Sequence, residues 1–475
     1  MAALEASAEF RVSNPPASTH DQLASDAPQL RGISQRLPEL LLYTPSAEGY
    51  NELRAWFIAS VAQRPLAIAR PRTEAEVSAV VRELRRRNVP FGIRSGGHDL
   101  AAAQAQGGDG VLVDLRAMDG IAVAEDKKSA RIGGGVLGIN LSRFLQRHGL
   151  VTPHGWCPSV SVAGWALGGG YGCTSAYHGL GADQILGARV VLADGGAVDT
   201  EDHPDLLWAL RGAGNGNFGV VVELRVKLYP QTGFVAGLLG FSAAEAGDVL
   251  AKFGEFEREL PVNFSGEVTQ GTVPGLGPLL VWLFAWTSED DDVDDGWACL
   301  ERMKALGTPV LDTVSAVDDH TFFATLPTPV TAHWHPRLRT FEYFSPEVAG
   351  VLGNRPPPGE TCATVIHTAH GRVLDENPGA CYPLRTRHRV ASIIVDAPAE
   401  SAEYAGYKKW ADGLADDLSE QRHALPYGYR NLSTEQDVDL VATYGEETVA
   451  RLKEVKNKFD PANVFKNGHP RLDLL

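Results

Sequence analysis

Long apolar runs are missing from this chain. The longest, Leu279 to Trp286, spans eight residues, well short of the roughly 20 that a membrane-crossing helix needs, and reads as a buried strand. Cysteine is sparse and odd in number: five residues scattered at 157, 173, 299, 362 and 381 exclude a disulfide framework and fit a reducing compartment. No basic segment followed by an apolar core opens the chain, so no secretory signal is read and a cytoplasmic location is expected; the sequons at Asn140, Asn263 and Asn431 are then chance occurrences. Positive charge is also short. With 43 Lys and Arg against 59 Asp and Glu, the formal charge of -16 argues against nucleic acid and anionic membranes as partners. The basic run Arg82, Arg85, Arg86, Arg87 is a local solvated face. It lies on a helix that starts at Thr73, where Thr73 and Glu76 suit a capping box and Val77, Val80, Val81 and Leu84 form the apolar side.

Glycine is abundant and clustered. The apolar stretch Phe91 to Ile93 runs into Arg94-Ser95-Gly96-Gly97-His98, a strand breaking into a tight turn whose glycines let backbone N–H groups approach a phosphate and set an imidazole beside the ligand. A second setting is Gly155-Trp156-Cys157-Pro158, followed by Gly164 and Gly168-Gly169-Gly170-Tyr171-Gly172. A nicotinamide-binding Rossmann turn is excluded by context. The run Gly212 to Gly219 follows a helix rather than a strand, and no acidic residue stands about 20 positions on to hold a ribose.

These segments, with RIGGGV (131–136), HGLGADQILGARVV (178–191), RGAGNGNFGVV (211–221) and RLKEVKNKFDPANVF (451–465), resemble the berberine bridge enzyme-like flavoproteins of the vanillyl-alcohol oxidase / p-cresol methylhydroxylase superfamily. The resemblance covers most of 60–232 and 425–466 and only thinly the stretch between. It implies FAD bound covalently twice, through His98 to the flavin 8α-methyl and through Cys157 to C6, the cysteine marking the doubly linked branch. Arg94, Ser95, Gly96, Gly97, Gly168, Gly169, Gly172, Gly219, Val221 and Asn431 are the further cofactor contacts it implies. Val160 falls where the family borders an oxygen-access pocket, and valine there is associated with oxidases; the alternative is a core valine. Tyr429-Arg430-Asn431 matches the start of the family's Y-x-N-Y segment, in which the tyrosine can take a proton from the substrate hydroxyl. Leu432 replaces the second tyrosine. A phenol with its ordinary pKa near ~10 needs a positive neighbour or concerted hydride loss to act as a base, and a packed aromatic is the alternative.

The expected fold is α+β in two lobes: a flexible leader (1–35), an FAD lobe of the p-cresol methylhydroxylase type (36–232), a substrate lobe with an antiparallel sheet backed by helices (233–424), and a segment returning to the FAD lobe (425–475) with helix Glu446 to Phe459. The acidic run 288–295 lacks the ligand spacing and turn glycine of a calcium loop, and His333-x-His335 has no nearby third ligand, so no metal is expected. His367 and His370 also fall in the substrate lobe. Pro383-Leu384-Arg385 stands where relatives read P-H-R, so the pocket is not inherited. The function implied is an oxidase that takes a hydride from an alcohol or hemiacetal of a bulky small molecule, or closes a ring oxidatively, with dioxygen as acceptor. Amine or sugar oxidation and a redox-neutral flavin cyclase are the alternatives.

Overall fold

The computed structural model describes residues 14–327, 333–433 and 439–472. In the first sheet Ala67–Arg70, Val111–Asp114 and Phe91–Arg94 run parallel, and Leu41–Tyr43 adds an antiparallel edge. Ala67–Arg70 and Val111–Asp114 are buried at every position, as expected of parallel strands covered on both faces. Helix Glu74–Arg86 packs Val77, Val80, Val81 and Leu84 onto them. Its expected capping box is only half made. Thr73 Oγ1 accepts from the Glu76 amide at 3.2 Å, whereas the Glu76 carboxylate takes the Arg72 amide at 2.7 Å rather than that of Thr73.

The leader reading is corrected by the same core. His20–Asp26 and Arg31–Arg36 are helices, the first with a complete capping box from Thr19 and Gln22, and Leu23, Leu30 and Ile33 are buried against strand 67–70. Three well-placed apolar residues outweigh the polar composition that surrounds them. Residues 1–13 of that stretch lie outside the described residues.

The second sheet is antiparallel, in the order Ile121–Val123, Ser129–Gly133, Val220–Lys227, Ile185–Val191, Ala197–Asp199. Its last hairpin turns at Asp194-Gly195-Gly196, where Gly195 takes φ +78° and Asp194 Oδ1 accepts from Gly196 N. Helices Pro204–Ala213 and Glu446–Phe459 share its core, so the C-terminal helix does return to this half of the molecule.

The third sheet is antiparallel and nine-stranded. Its central strands are Phe234–Ser242, Gly277–Thr287, Phe264–Val273, Cys362–Ala369 and His388–Val395, in that spatial order. Side chains alternate along each strand. One face, with Phe264, Val268, Trp282, Ile366 and Ile393, packs under helices Ala246–Phe256, Asp294–Lys304, Pro346–Asn354 and Tyr404–Ser419. The opposite residues face a cavity between this sheet and the other two. At the sheet's edge the fully buried Arg389 donates to Glu257, which also takes the Phe344 amide at 2.8 Å, so a buried charge pair is closed by a backbone donor.

Burial pushes several imidazoles well down, among them three in the packed interior: His178 and His388 to about 4 and His370 to about 3. Because these groups bind protons less readily folded than unfolded, the stability they leave intact above pH ~6.5 is lost as pH falls toward their folded values, by about 2 kcal/mol each at pH ~5. His154 runs the other way, raised by Asp319 against the cost of burial. Three outweigh one. Melting temperature is therefore expected to fall by several degrees between pH ~7 and ~5, before most carboxylates titrate; a flat profile over that interval would contradict the burial assigned to these histidines.

Candidate active site

The turn after strand Phe91–Arg94 is built for close approach. Gly97 takes φ +85°, a left-handed conformation that favours glycine, and a Cβ on Gly96 would lie 2.7 Å from the Ser161 amide. The two glycines thus let the histidine turn rest directly on the loop that carries Cys157. His98 Nε2 is 2.8 Å from Ser159 Oγ, and Cys157 Sγ is 3.6 Å from the same oxygen. Two nucleophiles 59 positions apart in the chain are separated by one hydroxyl. Phe57 stacks on the imidazole with ring centroids 4.2 Å apart, and burial pushes His98 down to about 4, so it is neutral near pH 7 and keeps a lone pair for bond formation. None of the five cysteines is in a disulfide, and Cys157 alone among them is only half-buried. Burial pushes the thiols of Cys299 and Cys362 up to about 12 and 11, which leaves them unreactive.

Both residues line a cavity of about 1110 Å³, above the usual range for a single drug-sized ligand and large enough for a dinucleotide cofactor with a substrate. Ser95, Gly96, Gly97 and Val160 share its wall, as do Gly219 and Val221 from the second sheet. Val160 returns to the side of Cys157 through a turn in which its amide donates to the Cys157 carbonyl. Arg94 also lines the cavity; its guanidinium is buried and donates to Asp114 and to the carbonyls of Leu53 and Ala55, so it anchors the turn.

Gly168, Gly169 and Gly172 do not line the cavity. A Cβ at Gly168 would meet Asn431 Oδ1 at 1.9 Å, one at Gly172 the His154 carbonyl at 1.6 Å, and Gly169 sits at φ +118° against the Tyr382 ring. These glycines serve contacts within the protein, a demand that sequence does not distinguish from a cofactor's.

Tyr429 and Asn431 do line it. Arg430–Leu432 is a short 3-10 turn rather than a strand, so no alternation places Arg430; it approaches His469 Nδ1 at 3.3 Å, and His469 Nε2 lies 3.4 Å from Asp99, the residue after His98. Asn431 donates to the Trp165 carbonyl at 2.9 Å and to the Tyr429 hydroxyl at 2.8 Å, while its own oxygen accepts from Asn215 at 3.0 Å. Within the protein its amide therefore fixes Tyr429. The Gly170 amide also donates to that phenol, at 3.2 Å. Burial pushes Tyr429 up to about 12 in spite of these donors, so it is a protonated phenol at neutral pH and not a standing base.

Of the four histidines singled out, His367 lines the cavity, while the His333 amide donates to Asp396, His335 lies 3.3 Å from Asp412 and His370 is fully buried just beyond strand Cys362–Ala369. Among the described residues no group of three potential ligands could hold a metal, and no helix is long and apolar enough to cross a membrane. Arg385 of the altered P-L-R segment makes a bidentate pair with Asp183 at 2.7 and 2.8 Å, tying the segment before strand His388–Val395 to the turn before strand Ile185–Val191. Sequence reasoning missed Ser159, Phe57, Glu267 and the placement of Tyr171. Tyr171 stood inside a quoted motif and Ser159 directly after one; the others need the fold to bring them near.

Comparison with known proteins agrees with this geometry. The FAD binding domain family matches residues 65–201, and the family described as berberine and berberine like matches 428–470. The FAD-linked oxidoreductase aurO of Gibberella zeae is 30% identical over 99% of this chain and 93% of its own, and (R)-6-hydroxynicotine oxidase of Paenarthrobacter nicotinovorans is 29% identical over 90% and 95%. The crystal structure of 6-hydroxy-D-nicotine oxidase from Arthrobacter nicotinovorans superposes with a TM-score of 0.80 at 24% identity, covering 90% of this chain and 97% of that one. An α+β fold, a cavity of cofactor size walled by glycine turns, and an attachment-competent imidazole and thiol fit FAD. The chain belongs to the berberine bridge enzyme-like FAD-linked oxidoreductases of the vanillyl-alcohol oxidase / p-cresol methylhydroxylase superfamily.

Proposed function

We propose that this enzyme is an oxidase with FAD attached through both His98 and Cys157, acting on a carbon that bears a hydroxyl in a bulky, largely apolar secondary metabolite, with dioxygen as electron acceptor. The observation that carries the reading is the convergence of His98 Nε2 and Cys157 Sγ on Ser159 Oγ in the wall of the large cavity. When bound, FAD supplies two-electron oxidation of a C–H bond and return of the electrons to dioxygen, with hydrogen peroxide as product. An alcohol or hemiacetal then becomes a carbonyl or lactone, and one proton must leave the substrate oxygen. The cavity's sheet wall, with Val281, Leu283, Val365 and Ile394, supports an apolar substrate over a sugar. Tyr429 holds the substrate hydroxyl: with its oxygen accepting from Gly170 and Asn431, its own hydrogen is left to donate.

Acid-precipitated protein is expected to stay yellow. His98→Ala should leave flavin attached through Cys157, and Cys157→Ala should leave it attached through His98. Recovery of all the flavin in the supernatant of the wild-type protein would remove the covalent reading.

Val160→Leu adds bulk beside Cys157 and is expected to slow reoxidation by dioxygen far more than reduction by substrate. Stopped-flow traces in which both half-reactions keep their rates would take Val160 out of oxygen access.

Tyr429→Phe removes a hydrogen-bond donor and not a base. The rate of anaerobic flavin reduction, by a hydroxylated substrate identified through peroxide release across a panel, should fall about 10- to 100-fold. Losing a general base costs ~10² to 10⁴-fold, so a loss near 10⁴ would restore Tyr429 to that role.

A further inference from the structure

If Tyr429 is a donor, the proton of the substrate hydroxyl needs another destination. The sheet wall of the cavity is mostly apolar, with the hydroxyls of Thr269, Thr272 and Ser392 among its side chains, and its strands bring one acid–base pair to it. Glu267 on strand Phe264–Val273 and His367 on strand Cys362–Ala369 are directly opposite each other in the antiparallel register, and both line the cavity. Imidazole Nδ1 is 2.8 Å from carboxylate Oε2, within ion-pair range but off the line of a hydrogen bond. Both atoms are buried, and neither has a hydrogen-bond partner among the described residues. Buried polar atoms left unsatisfied in a folded protein call for an explanation, and a ligand is one. A buried carboxylate also needs a counter-charge, which an adjacent imidazole provides only on taking up a proton. The His367 ring stacks beside Tyr171, with centroids 6.3 Å apart, and lies 6.5 Å from the Tyr429 ring, and all three residues line the same cavity.

Resting on the oxidase reading above, we propose that Glu267 and His367 form the hydroxyl-recognising subsite of the substrate and accept its proton. The O–H bond breaks as the C–H bond loses its hydride to the bound cofactor; the carbonyl forms, the proton moves to His367, and Glu267 becomes the counter-ion of the resulting imidazolium. The class of ligand follows from this chemistry: an apolar molecule with a hydroxyl on a carbon that also carries hydrogen, its O–H made more acidic by an adjacent ring or, in a hemiacetal, by the second oxygen.

The test is the ionisation state of a bound phenol, which depends on neither turnover nor covalent flavin. 4-Nitrophenol changes colour on losing its proton. Titrated into the flavin-loaded enzyme at about pH 6, it is expected to bind with a phenolate-to-phenol ratio raised about tenfold over buffer, one pKa unit's worth. 4-Nitroanisole, which lacks the proton, should show no such spectral change. Glu267→Gln and His367→Asn should each bring the bound probe back to the ratio seen in buffer, and either variant suffices should the other fail to fold. A wild-type probe that stays a phenol, a phenolate that persists in both variants, or no binding at millimolar probe would overturn the proposal. A protein that loses its flavin on acid precipitation yet still ionises the probe would refute the covalent reading and leave this one standing.

Discussion

Everything at the His98 end of the cavity hangs on one buried carboxylate. Asp114 ends strand Val111–Asp114 with no solvent access and is held far below the usual carboxylate range by arginines, against a desolvation cost that would push it up. Arg94 and Arg116 each bring an Nη2 within 2.8 Å, and Arg70 approaches at 3.6 Å. Those arginines sit on or just beyond three neighbouring strands, so satisfying the charge fixes the strand ends relative to one another. Arg94 and Arg116 also donate to the Leu53 carbonyl, which brings in helix Tyr50–Arg54 and the aromatic pair Trp56-Phe57 behind it. The His98 turn and the ring that stacks on it are thereby set by the same ion cluster. Removing a single partner of such a cluster leaves a buried charge uncompensated, which is costlier than never having built it.

The seam between the large sheet and the rest of the molecule combines apolar clusters with specific polar pairs. His154, three residues before Cys157, meets Asp319 at 2.9 Å while its ring stacks on Phe323; Ser142 meets His320 at 2.9 Å, and Gln146 donates to Asp318 at 2.7 Å. Helix Asp319–Thr325 therefore fastens the loop that carries the Cys157 thiol. On the other side of the cavity Tyr171 bridges to Tyr382 at 2.8 Å and His388 at 2.7 Å. With His388 Nδ1 bound to the Thr386 carbonyl, its Nε2 is the acceptor, and the tyrosine hydroxyl that meets it is oriented away from solvent. Directional contacts of this kind specify one docking geometry, where a purely apolar seam would allow sliding.

Local signals in the sequence carried far. Helix Glu446–Phe459 runs between the bounds its pattern of Val449, Leu452, Val455 and Phe459 suggested, stopping where Asp460-Pro461 breaks the hydrogen-bond ladder. Strands with strong apolar or alternating patterns, such as Gly277–Thr287 and Val220–Lys227, were equally legible. What sequence hid was pairing over distance. Glu267 and His367 are 100 positions apart and meet only because two strands adopt one register among several. Glycine was readable as a demand for close approach but not as to what approaches: Gly96 and Gly97 do serve the cavity, while Gly168, Gly169 and Gly172 accommodate Asn431, Tyr382 and the His154 carbonyl. The helices at 20–36 were hidden by low apolar density, since three buried side chains suffice when they all land on one existing core.

The alternation of the large sheet has a consequence for how such an enzyme changes. Along strand Phe264–Val273, Phe264 and Val268 belong to the hydrophobic core, while Thr269, Gly271 and Val273 belong to the cavity; Val365 beside Ile366, and Ser392 beside Ile393, repeat the division. Neighbours in sequence thus answer to different selective pressures. Exchanging a cavity-facing side chain for another of similar β-propensity leaves the packing beneath the helices untouched, so the range of molecules admitted can drift by single substitutions at little cost in folding. Duplicated copies of such a gene can diverge in what they oxidise long before they diverge in shape.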